Sequence, residues 1–195
     1  MSNFEEIFNN ISSRRSIRSF NDKEISDDVF LKLIEAASWA PNGCKAEPWH
    51  FYVVKSKEKI DEMRSAVIAT NPKSEFYKQY QTFHNARYVI SVCIDVERRW
   101  YHRDLETLKP GIEAIDNPDY FSLAAAIQNL LLAANSLKLG TCWIGMSEAF
   151  RPQLEKVIGI EGSQMLAANI AIGHYDDIPT APNRKPPEDI VKFIL

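Results

Sequence analysis

At 195 residues and 45% hydrophobic content, the chain is long enough to bury a substantial core as one domain, and nothing in it reads as disordered. Lys plus Arg number 23 against 26 Asp plus Glu, a formal net charge of −3. That argues against nucleic acid as a partner, because neutralising phosphates takes a basic surface or a dense basic face. Cys44, Cys93 and Cys142 are far apart with no CxxC, so neither a disulfide framework nor a zinc site is indicated and a reduced, cytoplasmic setting fits. The histidines His50, His84, His102 and His174 are scattered, with no second ligand at helical spacing, and no metal site is expected.

The N-terminus carries Glu5 and Glu6 where a secretory signal would have bases, so no targeting segment is expected. Phe4, Ile7, Phe8 and Ile11 fall at i, i+3, i+4 and i+7, the apolar stripe of a first helix that Ser2 or Asn3 caps. Arg14-Arg15-Ser16-Ile17-Arg18 follows. Three guanidiniums and a hydroxyl within five positions suit an oxyanion, since each guanidinium offers a planar, permanently charged fork of donors. An Arg-rich turn that merely solvates the chain or pairs with acids has the same pattern. Ser26-Asp27-Asp28 opens a second helix with Val29, Phe30, Leu33, Ile34, Ala36 and Ala37 inward, ending near Pro41.

From Ala40 to Phe51 two prolines bracket Asn42-Gly43, which predicts an irregular loop with positive φ at Gly43 leading into a core strand at Phe51–Val54. A Ser56-capped helix with Ile60, Met63 and Val67 inward comes next, then a second helical pattern over 73–83. Tyr88–Ile94 is nearly continuous apolar sequence and predicts an interior strand. Residues 97–118 lose periodicity and read as an excursion over the body, either a lid on a pocket or ordinary packing.

Phe121–Leu137 holds no charge and is apolar on every face, so it is expected to be a central helix, one side on its own sheet and the other on a partner subunit. Ser122, Gln128, Asn129, Asn135 and Ser136 speak against a membrane span. Gly140 ends it before a short strand at Thr141–Gly145. A helix at 151–158 and a strand at 166–173 complete the body. Residues 176–195 contain four prolines and read as an extended arm carrying Arg184 and Lys185, with alternation at 190–195 that predicts a last strand on a sheet edge, its own or the partner's.

Taken together, Arg14-Arg15-Ser16-Ile17-Arg18, Ala40-Pro41 to Pro48-Trp49-His50-Phe51, Gly140-Thr141-Cys142-Trp143-Ile144-Gly145 and Arg184-Lys185-Pro186 resemble, in order and spacing, the nitroreductase family of flavin enzymes. The resemblance spans essentially the whole chain. It implies an α+β fold with a central, mostly antiparallel sheet wrapped by helices, and an intertwined homodimer binding FMN at its interface. It further implies that Arg14, Arg15, Ser16 and Arg18, with Arg184 and Lys185, hold the FMN phosphate. On the same footing Pro41, Asn42 and Gly43 lie against the ring from the partner subunit, and the backbone of Trp143, Ile144 and Gly145 faces its reactive nitrogen.

The implied chemistry is ping-pong: NAD(P)H delivers hydride to flavin, and a nitroaromatic or quinone then accepts it, with no catalytic protein nucleophile. The chain has no GxGxxG, so a separate dinucleotide domain is not expected. Against the family pattern Pro-Ser-Ser-x-Asn-x-Gln-Pro-Trp, Asn42 and Gly43 replace the serines, Lys45 the Asn and Glu47 the Gln. Lys45 either faces the ring and raises its potential or pairs with Glu47. Alternatives outside and within the flavin enzymes remain: a flavin or nucleotide-binding sensor or storage module, and a same-fold enzyme of dehalogenation or substrate oxidation.

Overall fold

The computed structural model describes residues 2–70, 85–95 and 118–194. The 73–83 helical pattern and the 97–117 stretch of the expected lid lie outside the described residues. Helix α1 spans Asn3–Ser13, α2 Asp27–Ser38, α3 Lys57–Thr70, α4 Pro118–Ser136 and α5 Arg151–Ile158. Strand β1 spans Trp49–Val54, β2 Tyr88–Asp95, β3 Gly140–Gly145 and β4 Gln164–Gly173.

The helix starts follow capping chemistry. Ser2 and Glu5 form a reciprocal capping box on α1, and the Ser56 hydroxyl accepts the Lys59 N–H at 3.2 Å ahead of α3. Pro118 opens α4, three residues before the uncharged run begins, where a missing N–H costs nothing.

The four strands form one antiparallel sheet in the order β1-β2-β4-β3. Its two faces are both covered, which is why β2 is buried at every position. On one face α2 and α4 pack Phe30, Leu33, Ala37, Leu123, Ile127 and Leu130 against Ile90, Val92, Ile170 and Ile172. On the other, α3 and α5 pack Ile60, Met63, Val67 and Leu154 against Val89, Cys93, Ile144 and Leu166. A bulge between Val92 and Cys93 shifts the β2–β4 register by one residue.

Among the described residues helix α4 is covered on its sheet side, with Phe121 65% and Leu137 44% exposed where the expectation places a partner subunit. Residues 190–194 form no strand on this sheet; Pro187–Asp189 is a single 3-10 turn and the arm is exposed throughout, with Phe193 at 84%. Proline-rich sequence has no local partner here, so its alternation has nothing to pair with in its own chain. Likewise, α1 carries its apolar stripe outward. It is tied to α4 by polar contacts instead: Asn10 donates to the Leu132 carbonyl at 3.1 Å, and Asn135 donates to the Asn10 carbonyl and side chain at 3.0 and 2.8 Å.

Candidate functional site

The Arg-rich stretch leaves α1 in extended conformation at Arg14 and runs along the free edge of β3. Ser16 bridges Thr141 in parallel, and the Ile17 N–H donates to the Thr141 carbonyl at 2.9 Å. Further on, the Asn21 N–H donates to the His174 carbonyl at 2.9 Å, and its side chain donates to Asp176 at 2.9 Å. Close packing needs glycine here. A Cβ at Gly140 would sit 2.7 Å from Tyr175 and 2.9 Å from Ile17, and one at Gly173 would meet Phe20 at 3.0 Å. Gly140→Ala is therefore expected to cost about 1–3 kcal/mol by overpacking and to displace the cationic segment, measurable as a lower Tm together with weaker anion binding.

The guanidiniums divide their work. Arg15 turns back and donates from Nη1 to the Ser12 and Arg14 carbonyls at 2.6 and 2.9 Å, closing the C-terminal end of α1. Its Nε is buried with no hydrogen-bond partner. Arg18 makes one long contact, Nη1 to the Ser16 carbonyl at 3.4 Å. Among the described residues no carboxylate pairs with Arg14, Arg15 or Arg18, although Lys55, Lys59, Arg87 and Arg151 all find acids. The reading in which the cluster is neutralised by acidic neighbours is thus not what the structure shows. Three cations and a buried unused donor leave the segment open to an anion.

Along β3 from Thr141, alternation sends the Ile144 side chain into the core while Trp143 stays 42% exposed on the α4 face. Ile144 can therefore serve a ligand only through its backbone. Among the described residues a Cβ at Gly145 would meet nothing within 4 Å. Ser16 and Gly145 mark two ends of one edge, four residues or roughly 13 Å apart along the strand.

The 41–47 loop departs from expectation. Positive φ occurs at Cys44 (52°), Lys45 (56°) and Glu47 (44°), not at Gly43, which opens a 3-10 turn. The Asn42 side chain accepts the Glu47 N–H at 3.1 Å and the Ala46 N–H donates to the Gly43 carbonyl at 2.9 Å, so the loop closes around Asn42. Lys45 and Glu47 are both exposed and form no ion pair with each other. The loop feeds β1, on the opposite edge of the sheet from β3, three strand spacings or roughly 14 Å away. A single chain therefore brings Arg14, Arg15, Ser16 and Arg18 together with Trp143, Ile144 and Gly145, but leaves Pro41, Asn42, Gly43 and Lys45 across the sheet. Arg184 and Lys185 stand on the exposed arm, with no ion pair or hydrogen bond to the cluster among the described residues.

Thr141 belongs with the site too, because its carbonyl positions the cationic segment. Its signal in the sequence is a β-branched residue directly after the glycine that ends a helix. The thiols do not: burial pushes Cys93 up to about 12, with the Glu155 charge adding to it. Cys93 and Cys142 are buried while Cys44 is exposed, so native protein is expected to titrate one thiol with a disulfide reagent and three after denaturation.

A family model for the nitroreductase family matches residues 11–174. The chain belongs to the nitroreductase family. Across 175 residues, this nitroreductase chain is 30% identical to an Archaeoglobus fulgidus protein named for NADH dehydrogenase or NAD(P)H nitroreductase activity, covering 89% of this chain and 87% of that one. It is 25% identical to the NADPH-flavin oxidoreductase of Vibrio harveyi, over 93% of this chain and 70% of that one. Among solved structures, a nitroreductase-type protein from Desulfovibrio desulfuricans in complex with FMN superposes with a TM-score of 0.72 at 25% identity, covering 95% and 94% of the two chains. The antiparallel sheet between helical layers is thus the nitroreductase fold. No helix among the described residues is long and apolar enough to cross a membrane.

Proposed function

We propose that this chain is an FMN-dependent oxidoreductase that passes reducing equivalents from NAD(P)H to a small acceptor, a nitroaromatic or a quinone, by a ping-pong mechanism. The observation that carries this is the cationic segment on the β3 edge: three guanidiniums without acid partners among the described residues, one with a buried and unused Nε. Such an edge suits an elongated ligand with an anionic end and a planar end. Arg14, Arg15, Ser16 and Arg18 would hold the phosphate, with Arg184 and Lys185 added from the arm. The main chain of Trp143, Ile144 and Gly145 would face the ring. FMN, when bound, supplies the two-electron redox chemistry. The protein's share is to bind, orient and exclude water, and the main-chain donors at the β3 end would favour negative charge on whatever lies against them.

The working unit in this reading is a homodimer. The 41–45 loop and the cationic edge lie on opposite margins of one sheet, so a ring touched by both takes them from two chains. The outward stripe of α1, with Phe4 at 72% and Phe8 at 54% exposed, and the bare arm at 178–194 support a second copy as their cover. Three free thiols fit a reducing, cytoplasmic setting.

Anaerobic titration of FMN-loaded protein with NADPH tests the activity. Bleaching of the flavin band followed by recovery on adding a nitroarene or quinone is the expected result. A stable yellow protein that neither NADPH nor, in a parallel titration, NADH bleaches marks a binding or storage module, and failure to take up FMN at all overturns the reading.

A further inference from the structure

The 41–47 loop holds three non-glycine residues at positive φ within four positions, at Cys44, Lys45 and Glu47. Each costs of order 1–2 kcal/mol relative to an ordinary backbone conformation. The loop is held in this form by Asn42 through the Glu47 N–H and by the Gly43 carbonyl. Such a cost is retained where a loop must present particular groups. What this one presents is an exposed ammonium, at Lys45, that no carboxylate among the described residues engages.

We propose that Lys45 selects electron acceptors by charge, favouring aromatic acceptors that carry a carboxylate; this rests on the reading of the ring site given above. Of the residues in the 41–47 loop and on β3, Lys45 is the one cation and Glu47 the one anion. The phosphate-binding cations sit at the other end of the edge and are committed to the cofactor. Discrimination between a neutral acceptor and an anionic one at the ring therefore falls to this side chain. Glu47, two residues on and also exposed, is the competing group, and it would reverse the preference.

The test compares FMN-loaded wild type, Lys45→Gln, Lys45→Glu and Glu47→Gln. Nitrobenzene and 4-nitrobenzoate serve as a neutral and anionic acceptor pair, and benzoate as a ligand that is not reduced. The ratio of KM for the carboxylate to KM for the neutral acceptor is expected to rise about fivefold in Lys45→Gln, the upper range for an exposed ion pair. It should rise further in Lys45→Glu and close up at high salt. Benzoate binding, followed by its perturbation of the flavin spectrum, should weaken by a similar factor.

An unchanged ratio in Lys45→Gln with flavin content intact overturns the inference and leaves the cofactor reading standing. A ratio that responds only to Glu47→Gln overturns it as well. Wild-type protein that takes up no FMN brings down both.

Discussion

Replacing Arg14 and Arg18 together by alanine is expected to leave a folded protein that no longer retains FMN. Neither side chain supports the fold. Arg14 is half-buried with no acid beside it, and Arg18 is exposed with one long hydrogen bond to the Ser16 carbonyl. Surface substitutions of that kind stay within about 0.5 kcal/mol of wild-type stability. Binding is another matter, because a hydrogen bond to a charged group contributes about 1.5–3 kcal/mol and two are removed. The affinity for FMN should fall by roughly 10²–10⁴-fold. Arg15 is left in place because its Nη1 closes α1 through the Ser12 and Arg14 carbonyls, so removing it mixes helix stability with ligand affinity. Equilibrium dialysis or flavin fluorescence measures the change, with a thermal melt to confirm the fold. Full flavin content in the double variant would refute the phosphate assignment.

The second large effect is expected from Phe8→Glu. Phe8 is 54% exposed in the single chain and stacks on Phe4 with ring centroids 5.9 Å apart, both rings facing outward. If a second copy covers this stripe, a two-fold interface buries Phe8 twice. Burying one such ring contributes roughly 2–3 kcal/mol, and a carboxylate in its place adds a desolvation cost. The dimer dissociation constant should rise by at least roughly 10³-fold. Because the 41–45 loop and the cationic edge then cease to face each other, FMN should be lost along with the dimer. The folded single chain loses almost nothing by the change, so the variant separates assembly from folding. Sedimentation equilibrium across a concentration series reads the result directly, and an unaltered association constant removes α1 from the interface.

The same residues show which features of the structure could be read in advance. Where local chemistry decides, the sequence is explicit. Ser2 with Glu5 marks the start of α1, Ser56 the start of α3, and the apolar run at 88–94 can only be an interior strand once both faces are covered. The cationic stretch is legible as a candidate anion site, although its pattern alone does not separate that use from a solvated turn; what the structure adds is that no carboxylate among the described residues pairs with it. Its seat on β3 is not legible, since the Ser16–Thr141 bridge joins residues 125 positions apart and depends on Gly140 and Gly173 leaving room for Ile17, Tyr175 and Phe20.

The loop at 41–47 misleads in an instructive way. Gly43 looks like the residue for positive φ, yet the Asn42 side chain captures the Glu47 N–H and moves the left-handed positions to Cys44, Lys45 and Glu47. Side-chain capture of this kind overrides the usual glycine preference. The uncharged α4 and the apolar arm are a different case. Their patterns are real, but among the described residues no surface meets them: Phe121 and Leu137 on α4 stay exposed and residues 190–194 form no strand.

The central claim is that two chains jointly hold FMN. It is tested most directly by sedimentation velocity of FMN-saturated protein followed at the visible flavin band. The account predicts that the colour travels with a species of twice the 22.3 kDa of one chain, at one FMN per chain. Flavin sedimenting with a single chain, or a colourless dimer beside free FMN, would contradict it.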